Sequence, residues 1–318
     1  MSRRRPSRLH GLLAVNKRPG PTSHDIVDLV RNALGERRVG HTGTLDPMAQ
    51  GLLLLCVGQA TRLQQYMLGW DKTYRGQIRL GHATTTYDRE GSPTEPKGPP
   101  PAIDRPLLDR LQTAFTGEIE QVPPPFSAKK VAGKRLYELA RGGEHVTVDA
   151  KRVTVHSLTL AVDEPDLLSL EVSSSTGFYV RSLAHDIGCQ LGCGAHLHRL
   201  ERVRIGPYNA QDAIAQEAIV AAASAEDILG SPAWSPISKI ALPFASLTVK
   251  PEPAARFQHG QEIVVFCPGG GSFVQGDLVS VRADKGRLLG IGTLQSVLAR
   301  GRTLGVRPAL VLEGEGQP

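Results

Sequence analysis

Four cysteines in 318 residues are too few to staple a protein of this size. Cys56, Cys189, Cys193 and Cys267 therefore read as thiols of a reducing compartment, not as a disulfide framework. No apolar run reaches the length of a membrane span; the densest, residues 52–57, reads as a buried strand. The basic N-terminus, Met1-Ser-Arg-Arg-Arg-Pro-Ser-Arg8, leads into no signal-peptide hydrophobic stretch. A cytoplasmic protein with no membrane role is expected. No internal repeat at solenoid period is present. No glycine-rich turn ends in the Lys-Ser or Lys-Thr of a phosphate loop. The run Cys189-x-x-x-Cys193-x-x-His196-x-His198 invites a zinc reading, but it lies at the end of an expected helix and lacks a second C-x-x-C pair. Neither a metal nor a cofactor is expected.

Charge of one sign is only mildly in excess, at a formal net +6. That value suits a polyanion binder and a basic housekeeping protein alike. Position is more telling. Arg3, Arg4, Arg5 and Arg8 crowd the N-terminus, where a solvated face would look the same. Lys129, Lys130, Lys134, Arg135 and Arg141 crowd one short stretch.

The length admits one large domain or two of unequal size. Thr22-Ser23 can cap a helix running to Gly35, striped by Ile26, Val30, Ala33 and Leu34. Residues 59–68 look helical. Residues 73–80 alternate as a half-buried strand, with Tyr74, Gly76, Ile78 and Leu80 on one face. Residues 91–101 form a loop, 103–115 a helix, and 153–162 and 167–174 paired strands. Pro123-Pro-Pro125 excludes a central strand over 122–128. Gly177 opens a helix bearing Val180, Leu183, Ile187 and Leu191. Residues 199–205 alternate again, and another helix lies in 213–229. Composition shifts over 231–242. Short β runs separated by glycine follow at 262–266, 278–283, 288–294 and 309–312, so a small all-β domain is expected from residue 243.

The most informative stretch is Gly40-His-Thr-Gly-Thr-Leu-Asp46-Pro-Met-Ala-Gln-Gly51. It places a carboxylate on a stiff turn: glycines permit close approach and Pro47 fixes the chain just beyond the acid. Taken alone, Asp46 would also fit an Asx cap; phosphate cradling is a second alternative, but without a closing Lys-Ser or Lys-Thr the turn is not a P-loop. Its company points further. The stretch closely resembles the G-H-x-G-x-L-D-P motif of the TruB family of tRNA pseudouridine synthases. Further resemblances to that family run along nearly the whole chain. They comprise Lys17 with Gly20-Pro-Thr-Ser23, Lys72-Thr-Tyr74-Arg75, and Gly81-His-Ala-Thr-Thr-Thr-Tyr-Asp88. They continue through Gln121-Val-Pro-Pro-Pro-Phe-Ser-Ala-Lys-Lys130 with Gly133, Tyr137 and Ala140-Arg141. Ser175-Thr-Gly-Phe-Tyr179-Val-Arg181 and Leu191-Gly-Cys-Gly-Ala-His196 complete the set. Two places depart: Arg18 stands where the family commonly has proline, and residues 231–240 match poorly.

The resemblance implies an α+β fold, a mixed, mainly antiparallel sheet flanked by helices. Its catalytic domain would span 1–242, with an RNA-binding insertion at about 122–150. Residues 243–318 resemble a PUA domain, a small RNA-binding β unit, through Leu242-Pro243, Phe257-x-x-Gly260, Gly276-x-Leu-Val279, Leu288-Leu-Gly-Ile-Gly292 and Arg307-Pro308. The implied activity is isomerisation of uridine to pseudouridine at position 55, in the T loop of tRNA. That reaction breaks C1′–N1, turns the base and joins C5 to C1′, so it needs no redox or metal cofactor. It needs an ionised carboxylate, Asp46, which an arginine partner favours; by resemblance that partner is Arg181. It needs an aromatic plane, Tyr74, which is also the candidate to take the C5 proton. By resemblance His41 inserts where the flipped base left, Tyr179 and Leu200 line the uracil pocket, and Lys17 supports the active-site turn. A turn histidine would account equally for His41 in isolation, and an ordinary core leucine for Leu200. Lys129, Lys130, Lys134, Arg135 and Arg141 would face RNA phosphates. The T stem-loop of tRNA is the expected partner; no protein partner is implied, and a monomer is expected.

Two other functions would leave different marks. A non-catalytic RNA-binding protein on this scaffold would not need Asp46, Tyr74 and Arg181 together. A uracil methyltransferase would need a cofactor loop or a reactive cysteine in context.

Overall fold

Apolar runs without polar alternation form the innermost strands, because both of their faces are covered. β1 (Gly11–Lys17) pairs antiparallel with β3 (Gln50–Val57) from Gly11↔Val57 to Lys17↔Gly51, and residues 52–57 are all buried. Helix α1 (Ser23–Leu34) lies on this pair through Ile26, Val27, Val30 and Leu34. Thr22 caps the helix and left-handed Gly35 closes it, as expected from the sequence, and Asp25 completes a capping box with Thr22. β2 (Val39–His41) adds to β3. The helix expected over 59–68 is divided: a 3-10 turn, Gly58–Arg62, precedes the single-turn α2 (Gln64–Met67).

The computed structural model describes residues 9–94, 98–126, 130–131, 134–135, 149–268 and 270–313, without the side chains of 130, 131, 134, 135 and 285. β4 (Lys72–Leu80) buries Tyr74, Ile78 and Leu80 and turns Arg75 outward, the expected alternation. Asp104 caps α3 (Arg105–Ala114). β5 (Gly117–Gln121), the short pair β6 (Lys130–Val131) and β7 (Lys134–Arg135), β8 (Lys151–Glu164) and β9 (Leu167–Ser174) follow. Then come α4 (Val180–Gln190), β10 (Ala195–Ile205), β11 (Tyr208–Asn209) and β12 (Ile214–Ala215). The single helix expected in 213–229 is two, α5 (Gln216–Ala221) and α6 (Ala225–Leu229), because Ser224 and Asp227 form a second capping box that restarts the helix. Arg18, the departure from the family pattern, ion-pairs with Glu217 of α5. β13 (Trp234–Pro236) returns to pair with β1.

Among the described residues the large sheet has 11 strands, with the path β12-β1-β3-β10-β4-β9-β8-β5. Only β1–β12 and β3–β10 pair parallel in it, so the sheet is mixed and mainly antiparallel. β3 meets β10 at Gln50↔Glu201 and Gly51↔Arg202. Gly51 has φ 100°, and a Cβ there would strike the Arg202 main chain, so the close approach requires glycine. α1 covers one end of the sheet; α3 and α4 cover the other, over Leu160, Leu170, Val172 and Leu197. The turn carrying Asp46 lies where these two cores adjoin, contributing Leu45, Met48 and Ala49 to the second.

A separate five-stranded sheet follows. Its strands are β14 (Ala245–Val249), β15 (Ile263–Phe266), β16 (Leu278–Ala283), β17 (Leu288–Leu298) and β18 (Thr303–Val311), in the order β14-β16-β17-β18-β15. One helix, α7 (Pro251–Gln258), packs Ala254 and Phe257 into it. Leu288, Ile291, Leu310 and Leu312 of this unit join the core around β1 and β3. Among the described residues no helix is long and apolar enough to cross a membrane.

Candidate active site

The turn between β2 and β3 is held on every side. Ser23, the first residue of α1, accepts from Leu45 N at 2.8 Å and donates to Leu45 O at 3.0 Å. Lys17 at the end of β1 donates to the carbonyls of Pro47 (3.1 Å), Ala49 (2.8 Å) and Arg18 (2.8 Å). Gly20 N donates to Pro47 O at 2.8 Å. From the sheet below, Arg202 reaches Leu52 O at 2.8 Å, and Thr44 O and Gly43 O at 3.1 Å each. Gly43 has φ 153°, a conformation that disfavours a side chain. Asp46 is thus carried on a main chain whose polar groups are pinned by three different elements.

Arg181, one residue into α4, faces this carboxylate. Its Nη2 donates to Asp46 Oδ1 at 3.0 Å, and its Nε lies 2.9 Å from Oδ2, within ion-pair range but off the hydrogen-bond axis. The arginine side chain is 6% exposed and the aspartate 32%, so the pair presents its carboxylate, not its cation, to solvent. The remaining guanidinium donors reach Phe126 O (3.1 Å) and Thr86 O (3.2 Å), and Asp88 Oδ2 stands 3.5 Å away. Asp88 is itself fixed by Thr86 Oγ1 and Glu90 N. Gln121 clamps the main chain at the start of α4: Tyr179 N donates to its Oε1 at 2.7 Å, and its Nε2 donates to Tyr179 O at 3.0 Å.

These groups surround a cavity of about 440 Å³, lined by Asp46, Tyr74, Tyr179, Arg181, Leu200 and Arg202 among others. The volume falls within the ~300–1,000 Å³ usual for small-ligand sites. A larger hollow, about 700 Å³, lies among outward side chains such as Arg75, Gln77, Arg199 and Glu201. It has neither the Asp46–Arg181 pair nor an aromatic, so the smaller cavity is the candidate site.

Burial raises the Tyr74 hydroxyl pKa, and the neighbouring Arg202 cation works against that rise. Burial pushes the Lys17 ammonium down to about 8, with the Asp46 charge opposing. Burial also pushes Lys72 down to about 8, and there Arg202 adds to the effect. The His41 imidazole is lowered by burial and then by Arg202; its Nδ1 accepts from Gly43 N at 3.3 Å. A carboxylate, a phenol and an apolar wall thus converge on one cavity with a buried cation behind each polar group. The arrangement suits proton transfer or nucleophilic attack on a bound ring.

Of the residues singled out by sequence, Asp46, Tyr74, Tyr179, Arg181 and Leu200 meet at the cavity. Lys17 stands behind the turn, and His41 lies at its start. Lys129 and Arg141 fall outside the described residues. Lys130, Lys134 and Arg135 lie in β6 and β7. Sequence reading passed over Arg202, Asp88, Ser23 and Gln121 as individual site residues. One signal was available for Arg202: a charge at an inward position of a period-two strand, after Leu200. In the cysteine–histidine run, Cys193 Sγ donates to Gly194 O and the His196 ring lies 2.6 Å from His82 O.

Residues 31–180 match the description "TruB family pseudouridylate synthase (N terminal domain)", and residues 181–244 match "tRNA pseudouridylate synthase B C-terminal domain". The tRNA pseudouridine synthase B of Chromohalobacter salexigens is 43% identical over 269 residues, covering 84% of this chain and 86% of that protein. The protein of the same name from Thermobifida fusca is 40% identical over 313 residues, covering 96% and 99%. Among solved structures, a Cbf5-Nop10-Gar1 complex aligns with a TM-score of 0.72 at 26% identity, over 95% of this chain and 84% of that chain. The fold is that of the pseudouridine synthases, with a small PUA-like β unit at the C-terminal end. With these matches over most of its length, the chain belongs to the TruB family of pseudouridylate synthases.

Proposed function

We propose that this chain converts a uridine of tRNA to pseudouridine, and that the uridine is position 55 in the T loop. The observation that carries the reading is the exposed face of Asp46, held by Arg181 on the wall of a nucleoside-sized cavity that Tyr74 also lines. A loop base is stacked or paired, so it must be flipped out at a cost of a few kcal/mol. Stacking against an aromatic such as Tyr74 offsets about 1–3 kcal/mol of this. His41, at the start of the turn, fills the space the base leaves. Tyr179 and Leu200 bound the uracil, and Lys17 backs the turn.

Asp46 acts at the sugar, by attack on C1′ or by removing a sugar proton; either route breaks C1′–N1. The freed base turns, C5 bonds to C1′, the C5 proton leaves and N1 gains one, so no atom or electron is lost overall. Tyr74 is the group placed to assist the C5 proton. A phenol is already protonated at neutral pH and burial raises its pKa further, so the hydroxyl would work through a hydrogen bond to the departing proton or a water. Lys129, Lys130, Lys134, Arg135 and Arg141 would hold phosphates of the T arm. We take residues 1–242 as the catalytic unit and 243–318 as a second RNA-binding unit of a monomer working in the cytoplasm.

The test is direct. Unmodified tRNA is incubated with the protein and pseudouridine is mapped by position. One new pseudouridine in the T loop is expected; tRNA binding without any isomerisation would favour the non-catalytic alternative.

A further inference from the structure

Arg202 is 1% exposed, among the most completely buried side chains of the molecule. Desolvating a guanidinium costs several kcal/mol unless its donors are satisfied. A leucine or valine would fill an inward strand position without that cost, so the charge has a use other than packing. Its partners show what it holds: three main-chain carbonyls and the Tyr74 hydroxyl, and none is a carboxylate. Nε is anchored to Leu52 O inside the sheet, while Nη1 and Nη2 go to Thr44 and Gly43 in the turn. One planar fork therefore ties the turn to the strand beneath it. A lysine, with three donors on one atom, cannot reach carbonyls spread in this way.

The register places Arg202 opposite Tyr74 across the β4–β10 pair, so both side chains leave the sheet on the cavity side. Lys17 and Ser23 pin Pro47, Ala49 and Leu45, but Arg202 is the side chain that reaches the carbonyls of Gly43 and Thr44. We propose that Arg202 is a positioning residue of this enzyme: it fixes the carbonyls of Gly43 and Thr44, and so the place of Asp46 relative to Tyr74. The proposal rests on the isomerase reading above. The Arg202 cation also opposes the burial effect on the Tyr74 hydroxyl, so one group orders the turn and tempers the phenol.

Arg202→Lys and Arg202→Met are compared with Leu13→Ala, a core change at a fully buried β1 residue away from the cavity. Single-turnover pseudouridine formation at saturating tRNA, tRNA affinity and thermal melting are measured for each. Arg202→Lys is expected to bind tRNA within about threefold of wild type and to lose at least roughly 30-fold in rate. Leu13→Ala, at a matched loss of stability, is expected to stay within about twofold in rate. Equal rate losses in the two at matched stability would overturn the proposal. No product from wild type would overturn it together with the isomerase reading. Product from wild type with Arg202→Lys unimpaired would overturn this proposal alone. If no Arg202 variant folds, the wild type decides: the guanidinium N–H protons of Arg202 are expected to exchange with solvent far more slowly than those of exposed arginines, and equally fast exchange would show that Arg202 does not hold the turn.

Discussion

Asp46 and Arg181 share one ion pair but not one environment, and only the carboxylate is open to a ligand. The arginine is sealed and meets four partners, whereas a third of the aspartate side chain faces the cavity. Asp46→Asn keeps the shape and one acceptor for Arg181 but can neither attack nor remove a proton. It is expected to lower single-turnover rate by roughly 10²–10⁴-fold or more while tRNA binding holds. A near-wild-type rate would remove Asp46 from the mechanism. Tyr74→Phe keeps the ring and loses the hydroxyl; catalysis should fall much more than affinity, and unchanged single-turnover kinetics would leave Tyr74 a stacking role only. Lys17 supplies a pH signature. As an ammonium it has a proton for each of its three carbonyls, and as an amine it is one short. Its pKa falls from 10.5 to about 8 in the fold. Between those values the unfolded chain binds more protons than the folded one, so this group makes folding more favourable as pH rises. An alkaline loss of activity centred near 8 would therefore not come from Lys17 destabilising the fold. That limb should vanish in Lys17→Met, which should start from a lower plateau; a limb unchanged in Lys17→Met would assign it to another group.

At the scale of elements, legibility followed the range of the interactions. Helix α1 was plain because Thr22, Asp25 and Gly35 declare both ends within the chain itself. The division of 213–229 into α5 and α6 was missed because the alanine-rich stretch hides the second capping box at Ser224. α7 and β14 were missed because both are short: β14 turns only Leu247 and Val249 inward, and α7 only Ala254 and Phe257. The motifs that carry Asp46, Tyr74 and Arg181 were legible through their resemblance, as was Lys17 behind the turn, but the other supports were not. Arg202 and Gln121 act on main chain distant in sequence, which no local pattern records. Gln121 makes the point testable. Its amide satisfies both the N–H and the C=O of Tyr179 at the mouth of α4, and Ser182 Oγ ties the same helix end to Val122 O at 2.7 Å. Gln121→Ala leaves both main-chain groups without that partner and should cost roughly 2–4 kcal/mol in urea unfolding. The rate should fall as well, since Arg181 sits two residues beyond the clamp. Unchanged stability would show that water takes over the clamp and that α4 is positioned without Gln121.

At the scale of the whole molecule, the two sheets are less separable than the composition shift at 231–242 suggests. β13, drawn from that stretch, belongs to the large sheet. Leu288, Ile291, Leu310 and Leu312 of the C-terminal unit pack into the core around β1 and β3. Polar ties cross as well: Gln59 exchanges two hydrogen bonds with Glu313, Arg62 donates to Val311 O, and Arg282 holds the carbonyls of Ser238 and Ile240. Yet Asp46, Tyr74 and Arg181 all lie on the other side of that junction. Ending the chain after residue 242 should therefore have two separate effects. Melting temperature should drop, because apolar surface at the β1–β3 core becomes exposed to water. tRNA affinity should drop too, and its dependence on salt should flatten by about 0.7–0.9 in log–log slope for each phosphate no longer neutralised. The rate per bound tRNA, measured below the lowered melting temperature at saturating protein, should remain within about an order of magnitude of wild type, since Asp46, Tyr74 and Arg181 are all retained. Reversing Lys129 and Lys130 to glutamate should reproduce the salt effect without the loss of stability. If the truncated chain instead binds tRNA with full affinity and an unaltered salt slope, the C-terminal sheet is a structural buttress for β1 and β3 and does not touch RNA.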